Sequence, residues 1–225
     1  MLVDVSGLST VGSAEPGSTD ARPDTLVTGD GASTVDGAQS GTDAGTDASA
    51  KPCTLTGTVE SKKGAPNAAV DDNRIGTIPW SNPTAVSRDD DLVASSASMS
   101  GDVITHWLLT SDFALALPPR SLVRGFVVLL DRSASYKDEI GDYGIALVKA
   151  GNPGTTKSQP GGWPTVSAKV TYGSASDTWG QTFTVDDVNA KDFGVAIAAK
   201  GTSAADEKAS VDYVEVTVFY ERCVE

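Results

Sequence analysis

The chain has 225 residues, which is enough for one large β domain, and its formal net charge is −13 because 30 Asp and Glu face only 17 Lys and Arg. An acidic chain without a basic stripe is not expected to bind nucleic acid, since phosphate backbones are recognised by clustered Lys and Arg. No apolar run is long enough to span a bilayer, so we predict no transmembrane segment.

Residues 1–52 differ in composition from the rest of the chain. They contain no aromatic residue, and eight acidic residues stand against Arg22 and Lys51 alone. Such a segment cannot bury enough apolar surface to offset the entropy of ordering it. We therefore predict a flexible, acidic linker rich in Gly, Ser, Thr and Asp over residues 1–52, and a folded domain over residues 53–225.

The two cysteines, Cys53 and Cys223, lie at the two ends of the predicted domain. This placement predicts a disulfide that closes the domain, and with it an oxidising compartment, extracellular or on the cell surface. The first residues lack the basic start and apolar stretch of a signal peptide, so no export signal is visible in this sequence. A truncated start would reconcile the two observations.

From the first cysteine onward the pattern is one of short strands separated by turns. Residues 54–60 predict a first strand, and residues 61–73 predict a loop with Lys, Gly, Asp and Asn turn chemistry. Further strands are predicted at 92–96, 103–109, 113–117, 122–131, 144–149, 168–172 and 193–197, with a Gly/Pro loop after the fifth of these. Thr184 predicts the N-cap of a single helical turn at 185–188.

The last strand, residues 211–220, is the longest strand pattern in the chain. Val214, Val216, Val218 and Tyr220 share one face, which we expect to be buried in the core. Many short strands with scarcely any helix predict an all-β fold, an antiparallel β-sandwich of the jelly-roll-like kind with a disordered N-terminal tail.

Several short motifs occur in an order that resembles a module of bacterial surface proteins, including lipoproteins, and of phage tail-associated proteins. They include Trp80-Ser81-Asn82-Pro83, Ala146-Leu147-Val148-Lys149-Ala150-Gly151, Asp177-Thr178-Trp179-Gly180 and Val211-Asp212-Tyr213-Val214-Glu215-Val216. The resemblance implies a jelly-roll-like β-sandwich in exported proteins that bind or build surfaces, without assigned catalytic residues. The tract Asp43-Ala44-Gly45-Thr46-Asp47-Ala48 is similar to linkers of deltaproteobacterial lipoproteins, although the lipidated cysteine is absent from this sequence.

Strand 122–131 departs from the resembling sequences, because Val127 and Leu129 are apolar where charged residues are usual. An apolar outer face predicts that something covers it. We expect the chain's own extension, residues 53–73, to cover it; self-association through this face is the alternative.

Three tryptophans are candidates for glycan binding. Trp80, Trp163 and Trp179 lie beside Asn, Pro or Gly loop residues, where an exposed ring could stack on a sugar. Large aromatic residues are more often core residues, and that alternative is favoured. His106, the single histidine, has no triad motif around it and is expected to be structural.

Runs of carboxylates are candidates for calcium binding. Asp89, Asp90 and Asp91 could supply oxygen ligands, as could the pairs at 71–72 and 186–187. None has the spacing of an EF-hand loop, and a solvated acidic loop is the alternative. No other cofactor is predicted.

Three functional hypotheses follow. The first is a non-catalytic extracellular or cell-surface module, not an enzyme, with an adhesion or structural role. The second is a carbohydrate-binding module with a structural calcium. The third is a subunit of an extracellular filament or appendage, whose partner would be a surface protein or another copy of the chain.

Overall fold

A computed structural model describes residues 53–202, 204 and 206–224, so the predicted linker at 1–52 lies outside the described residues. Eleven β-strands and one short α-helix form this part of the chain. The strands are β1 Thr54–Gly64, β2 Ala68–Asp72, β3 Trp80–Ser81, β4 Ala94–Ser96, β5 Trp107–Ser111, β6 Leu122–Ala134, β7 Ile140–Lys149, β8 Asn152–Lys157, β9 Ala168–Ser174, β10 Gly194–Gly201 and β11 Ala209–Val224. The helix α1 is Val185–Asn189, and a 3₁₀ helix spans Pro83–Val86.

The strands form two antiparallel sheets, which confirms the predicted β-sandwich. The first sheet has the order β3-β4-β11-β6-β9, with β1 also paired to β11, and the second has the order β2-β5-β10-β7-β8. Along one side β11 pairs with β6, and along its other side it pairs with β4 near its start and with β1 near its end. The last strand therefore organises the first sheet.

The core lies between the two sheets and is built from alternate residues of facing strands. Val214, Val216, Val218 and Tyr220 are all buried in it, as predicted. Opposite them the second sheet contributes apolar side chains from β7 and β10, namely Ile145, Leu147, Val195 and Ile197. Burial of such residues is the main stabilising contribution to the fold.

Helix α1 begins where the sequence predicts. Asp187 donates its backbone N–H to Oγ1 of Thr184, and the Asp187 carboxylate accepts the backbone N–H of Thr184. This reciprocal capping box satisfies two backbone donors that the helix itself leaves unpaired.

The predicted loop at 61–73 is wrong. Strand β1 continues to Gly64, and β2 follows after three residues. The polar side chains of this stretch do not show a strand pattern. Pairing of β1 with β11 and of β2 with β5 supplies the backbone hydrogen bonds that make them strands. The predicted Gly/Pro loop is likewise partly a strand, β8.

The predicted strand at 113–117 is also wrong, although its alternation is real. Phe113, Leu115 and Leu117 are buried, whereas Ala114 and Ala116 are exposed and adopt φ of 49°. A chain that alternates in this way between left- and right-handed φ values cannot pair in a regular ladder. The alternating burial therefore belongs to an irregular extended segment.

The expectation that the chain's own extension covers Val127 and Leu129 is wrong as well. Strand β1 pairs with β11 in the plane of the sheet and does not lie over its outer face. Val127 and Leu129 are on β6, which pairs with β11 along its other side. Both side chains are half-buried. Self-association through this face stays a prediction.

The ends of the described domain are joined by a disulfide between Cys53 and Cys223, whose Cα atoms lie 5.3 Å apart. Cys53 immediately precedes β1, and Cys223 lies in β11 opposite Leu55. The first and last strands are thus linked both by a ladder and by a covalent bond. Among the described residues no helix has the length and apolarity needed to cross a membrane.

Candidate functional site

Three aspartates from separate segments meet on the outer side of the first sheet. Asp131 lies on β6, Asp212 lies on β11, and Asp89 lies in the loop after the 3₁₀ helix. The register between β11 and β6 jumps from Val211 to Tyr213, so Asp212 is the extra residue of a β-bulge. A bulge re-aims side chains, and here it places Asp212 next to Asp131. We call these three residues the acidic site.

The carboxylates of the acidic site are close together and largely shielded from water. One carboxylate oxygen from each residue lies within 4.8 Å of the other two. Asp131 is 6% exposed and Asp212 is 3% exposed, whereas Asp89 is exposed. Two acidic groups in such a setting are costly unless cations or hydrogen-bond donors balance them.

The donors around the acidic site balance it only in part. Ser167 donates its hydroxyl to Oδ1 of Asp131, and the Lys169 ammonium forms an ion pair with Oδ2 of Asp89. The backbone N–H of Asp90 donates to the Asp212 carboxylate. No donor in the described part of the chain reaches Oδ1 of Asp212.

Electrostatics at the acidic site follow from this crowding. Burial raises the pKa of the Asp212 carboxyl, and the charges of Asp131, Asp89 and Asp91 raise it further, while the hydrogen bond from Asp90 lowers it. The hydrogen bond to Asp89 raises the pKa of Lys169. The site therefore attracts positive charge.

Only one of the three predicted calcium ligands, Asp89, has its carboxylate at this site. Of the acidic run at 89–91, Asp89 alone belongs to the three-carboxylate group; Asp90 contributes its backbone N–H, and Asp91 acts through its charge. Asp131 and Asp212 were missed. A signal was present for Asp212 alone, because strict alternation would put its carboxylate in the core register of Val214.

A second polar cluster lies inside the sandwich. The Asp142 carboxylate accepts hydrogen bonds from Arg132 Nη1, from Trp163 Nε1 at 2.8 Å, from the Tyr172 hydroxyl at 2.8 Å and from the Gln159 backbone N–H at 2.8 Å. The Arg132 guanidinium lies 5.0 Å from the centroid of the Trp163 ring, in cation–π geometry. We call this set the Asp142 network.

Burial dominates the ionisation of the Asp142 network. It lowers the pKa of Arg132 and raises the pKa of Tyr172 to about 12, although the Arg132 charge opposes the second shift. All four acceptor contacts of Asp142 are used within the fold. The network is therefore structural.

The three candidate tryptophans are buried, so none of them offers a stacking platform. Trp80, Trp163 and Trp179 are at most 4% exposed. Each indole N–H donates inside the fold: Trp80 to the His106 carbonyl, Trp163 to the Asp142 carboxylate and Trp179 to the Phe126 carbonyl. The structure supports the packing alternative for all three.

His106 takes part in a local polar contact between strands. Its Nδ1 lies 2.9 Å from Oδ2 of Asp71, and the other Asp71 oxygen accepts the backbone N–H of Trp80 at 2.8 Å. These bonds tie β2, β3 and the segment before β5 together. The structural role that the sequence predicts for His106 fits this geometry.

An aromatic pair on the outer face of the second sheet was not predicted. The rings of Trp107 and Tyr143 lie 6.4 Å apart, and Tyr143 is 44% exposed. Trp107 packs on small and apolar side chains of β7 and β10, namely Ala146, Val148, Ala196 and Ala198. Tyr143 is therefore an exposed ring supported by an apolar sheet face.

Comparison with known proteins gives little further information. No family model matches the chain, and no curated protein matches it. A solved structure that matches is the N-terminal cellulose-binding domain of Cellulomonas fimi β-1,4-glucanase C, with 17% identity, a TM-score of 0.34, and coverage of 69% of this chain and 86% of that chain. At this level of similarity the comparison carries no functional argument.

Proposed function

We propose that the chain is a non-catalytic extracellular module, displayed on a cell surface, with an adhesion or structural role. The observation that carries the proposal is the disulfide between Cys53 and Cys223. Disulfides persist in oxidising compartments and are rare in the cytosol, so this bond supports an exported protein.

The position of the disulfide suits a module held by its N-terminal end. Force transmitted through the predicted linker at 1–52 enters the domain at Cys53 and passes across the disulfide to Cys223 in β11. Strand β11 lies inside the first sheet, paired on both sides. Strand β1 therefore cannot be peeled away under load, which is the property that an adhesion or structural module needs.

The test compares cells that make the protein with otherwise identical cells that lack it. We expect the protein to be removed from intact cells by an external protease, and its loss to reduce attachment to surfaces or to weaken the outer layer of the cell. Complementation with a Cys53→Ser, Cys223→Ser variant should restore less of the phenotype than the natural chain. Protection from the protease, together with unchanged attachment and outer-layer integrity, would contradict the proposal.

A second candidate function, glycan binding, is favoured by the exposed ring of Tyr143. Exposed aromatic rings stack on the apolar faces of sugars, and this ring is supported by Trp107 at 6.4 Å. The ligand would then lie across the outer face of the second sheet.

The second candidate is tested by a glycan array with two tyrosine variants. Tyr143→Ala should abolish binding and lower the melting temperature only slightly, because the ring is partly exposed and loses only its contact with Trp107. Tyr136→Ala is the matched control, since Tyr136 is also exposed, at 56%, but lies in the turn between β6 and β7. Equal binding by the natural chain and both variants would rule out this surface.

A further inference from the structure

We propose that the acidic site of Asp89, Asp131 and Asp212 binds a calcium ion. The proposal is independent of the proposed function, since it rests on the local chemistry of these three residues.

The unpartnered oxygen of Asp212 is the observation that separates this site from an ordinary acidic cluster. Asp212 is 3% exposed, and its Oδ1 has no donor in the described part of the chain. A buried acceptor without a partner is costly, and a buried carboxylate more so. The bulge that removes Asp212 from the core places this group beside Asp131, where a cation could contact both carboxylates.

The charge at the site leaves room for a divalent cation. Three carboxylates face one ammonium, that of Lys169, which pairs with Asp89 and lies on β9 opposite Asp131. Two formal negative charges are then unbalanced. The Lys169 side chain is 48% exposed, so it can move toward water when a cation binds.

The ligand atoms point to a hard cation. The site offers carboxylate oxygens, with the Ser167 hydroxyl beside Asp131, and the described residues add no Cys or His ligand to the group. Calcium takes six to eight oxygen ligands at about 2.4 Å, so two oxygens on one ion can be at most about 4.8 Å apart. The observed separations are within 4.8 Å and therefore meet this limit.

Calcium fits better than magnesium because the three ligands come from two strands and a loop and have no regular arrangement. Asp131 and Asp212 lie on paired strands and Asp89 lies in an exposed loop, and the larger, less regular coordination of calcium tolerates such a mixed set of ligands. Magnesium requires near-ideal octahedral geometry and retains its waters. Binding would add a further link between the 87–93 loop and the first sheet, beside the hydrogen bond from Asp90 to Asp212.

The test is isothermal titration of the whole chain with calcium chloride after removal of metals by a chelator, with magnesium chloride as the parallel titration. We expect one calcium per chain, a higher melting temperature with calcium than with chelator, and clearly weaker binding of magnesium. Asp212→Asn should weaken calcium binding by about tenfold or more, because it removes a charged ligand. Lys169→Met should tighten binding, because it removes a competing positive charge.

Two further variants keep the test decisive. Asp102→Asn is the control and should bind calcium like the natural chain, because Asp102 is an exposed aspartate between β4 and β5 and is not part of the acidic site. Asp89→Asn replaces Asp212→Asn if the latter does not fold, since Asp89 is exposed. The proposal is overturned if neither the natural chain nor Lys169→Met binds calcium up to about 10 mM, above the range of weak extracellular sites. It is equally overturned if Asp212→Asn or Asp89→Asn retains natural affinity, or if magnesium binds as tightly as calcium.

Discussion

Substitution of Asp142 by Asn tests whether the Asp142 network stabilises the fold. The Asp142 side chain has no exposed surface, and the Arg132 side chain is only 4% exposed. Asp142→Asn keeps the volume but removes the charge that balances a buried guanidinium. It also places an amide NH₂ where the carboxylate accepts two hydrogen bonds. If the remaining oxygen serves Arg132 and Trp163, then the Gln159 backbone N–H loses its acceptor.

The expected cost is large because a buried charge is left without its partner. Breaking a buried ion pair from one side costs about 3–5 kcal/mol, against a total stability of about 5–15 kcal/mol for a typical domain. Urea unfolding followed by the fluorescence of the buried tryptophans measures the loss. The double variant Arg132→Met, Asp142→Asn should be less destabilised than the sum of the single variants, since it removes both charges.

An exposed pair provides the control for this experiment. Asp138→Asn breaks the ion pair of Lys137 and Asp138, 3.6 Å apart and largely exposed, and should leave the unfolding midpoint nearly unchanged. If Asp142→Asn lowers the free energy of unfolding by less than about 1 kcal/mol, the reasoning is refuted, because a buried guanidinium without its counter-charge should destabilise the fold by more than that.

Three other predictions concern pH, the helix cap and the disulfide. Burial raises the pKa of Tyr172 from 10.0 to about 12, so between these pH values the folded chain keeps a proton that the unfolded chain loses. The free energy of unfolding should therefore fall by roughly 3 kcal/mol between pH 10 and 12. The Tyr172→Phe variant should lack this loss in urea titrations across that range, and an identical pH profile would contradict the assignment. Thr184→Ala removes the capping box and should cost about 1 kcal/mol in the same assay, and an unchanged midpoint would count against the cap. The Cys53–Cys223 disulfide closes a loop with a sequence separation of 170 residues, so its reduction should lower the free energy of unfolding by about 5 kcal/mol in the chain-entropy model. Equal melting temperatures with and without reductant would show that the bond does not constrain the unfolded chain.

The parts of the fold that could be predicted are those in which a local sequence pattern indicates which side chains are buried or where an element begins. The alternation of Val214, Val216 and Val218 fixes the face of β11, and Thr184 with Asp187 fixes the start of α1. Strands β2 and β8 could not be predicted in the same way. Their small and polar residues are held in strands by pairing with distant segments, and no local pattern records that pairing.

The acidic site illustrates a different reason for failure. Asp89 was a candidate because it lies in an acidic run, whereas Asp131 and Asp212 have no acidic neighbour in sequence within their strands. Only the bulge in β11 and the pairing of β6 with β11 bring them together. For the tryptophans the favoured prediction, packing in the core, agrees with their burial, although neighbouring turn residues had left exposure open as the alternative. Their indole N–H groups have acceptors inside the fold.

The measurement that tests the proposed function most directly is the oxidation state and location of the natural protein on the cells that make it. Intact cells are labelled with a biotin reagent that cannot cross membranes. The intact mass of the purified protein is then measured by mass spectrometry before and after reduction. We predict a biotin-labelled chain that gains the mass of two hydrogens on reduction, because Cys53 and Cys223 form a disulfide. An unlabelled chain whose two thiols are freely alkylated without reduction would contradict the proposal of an extracellular module.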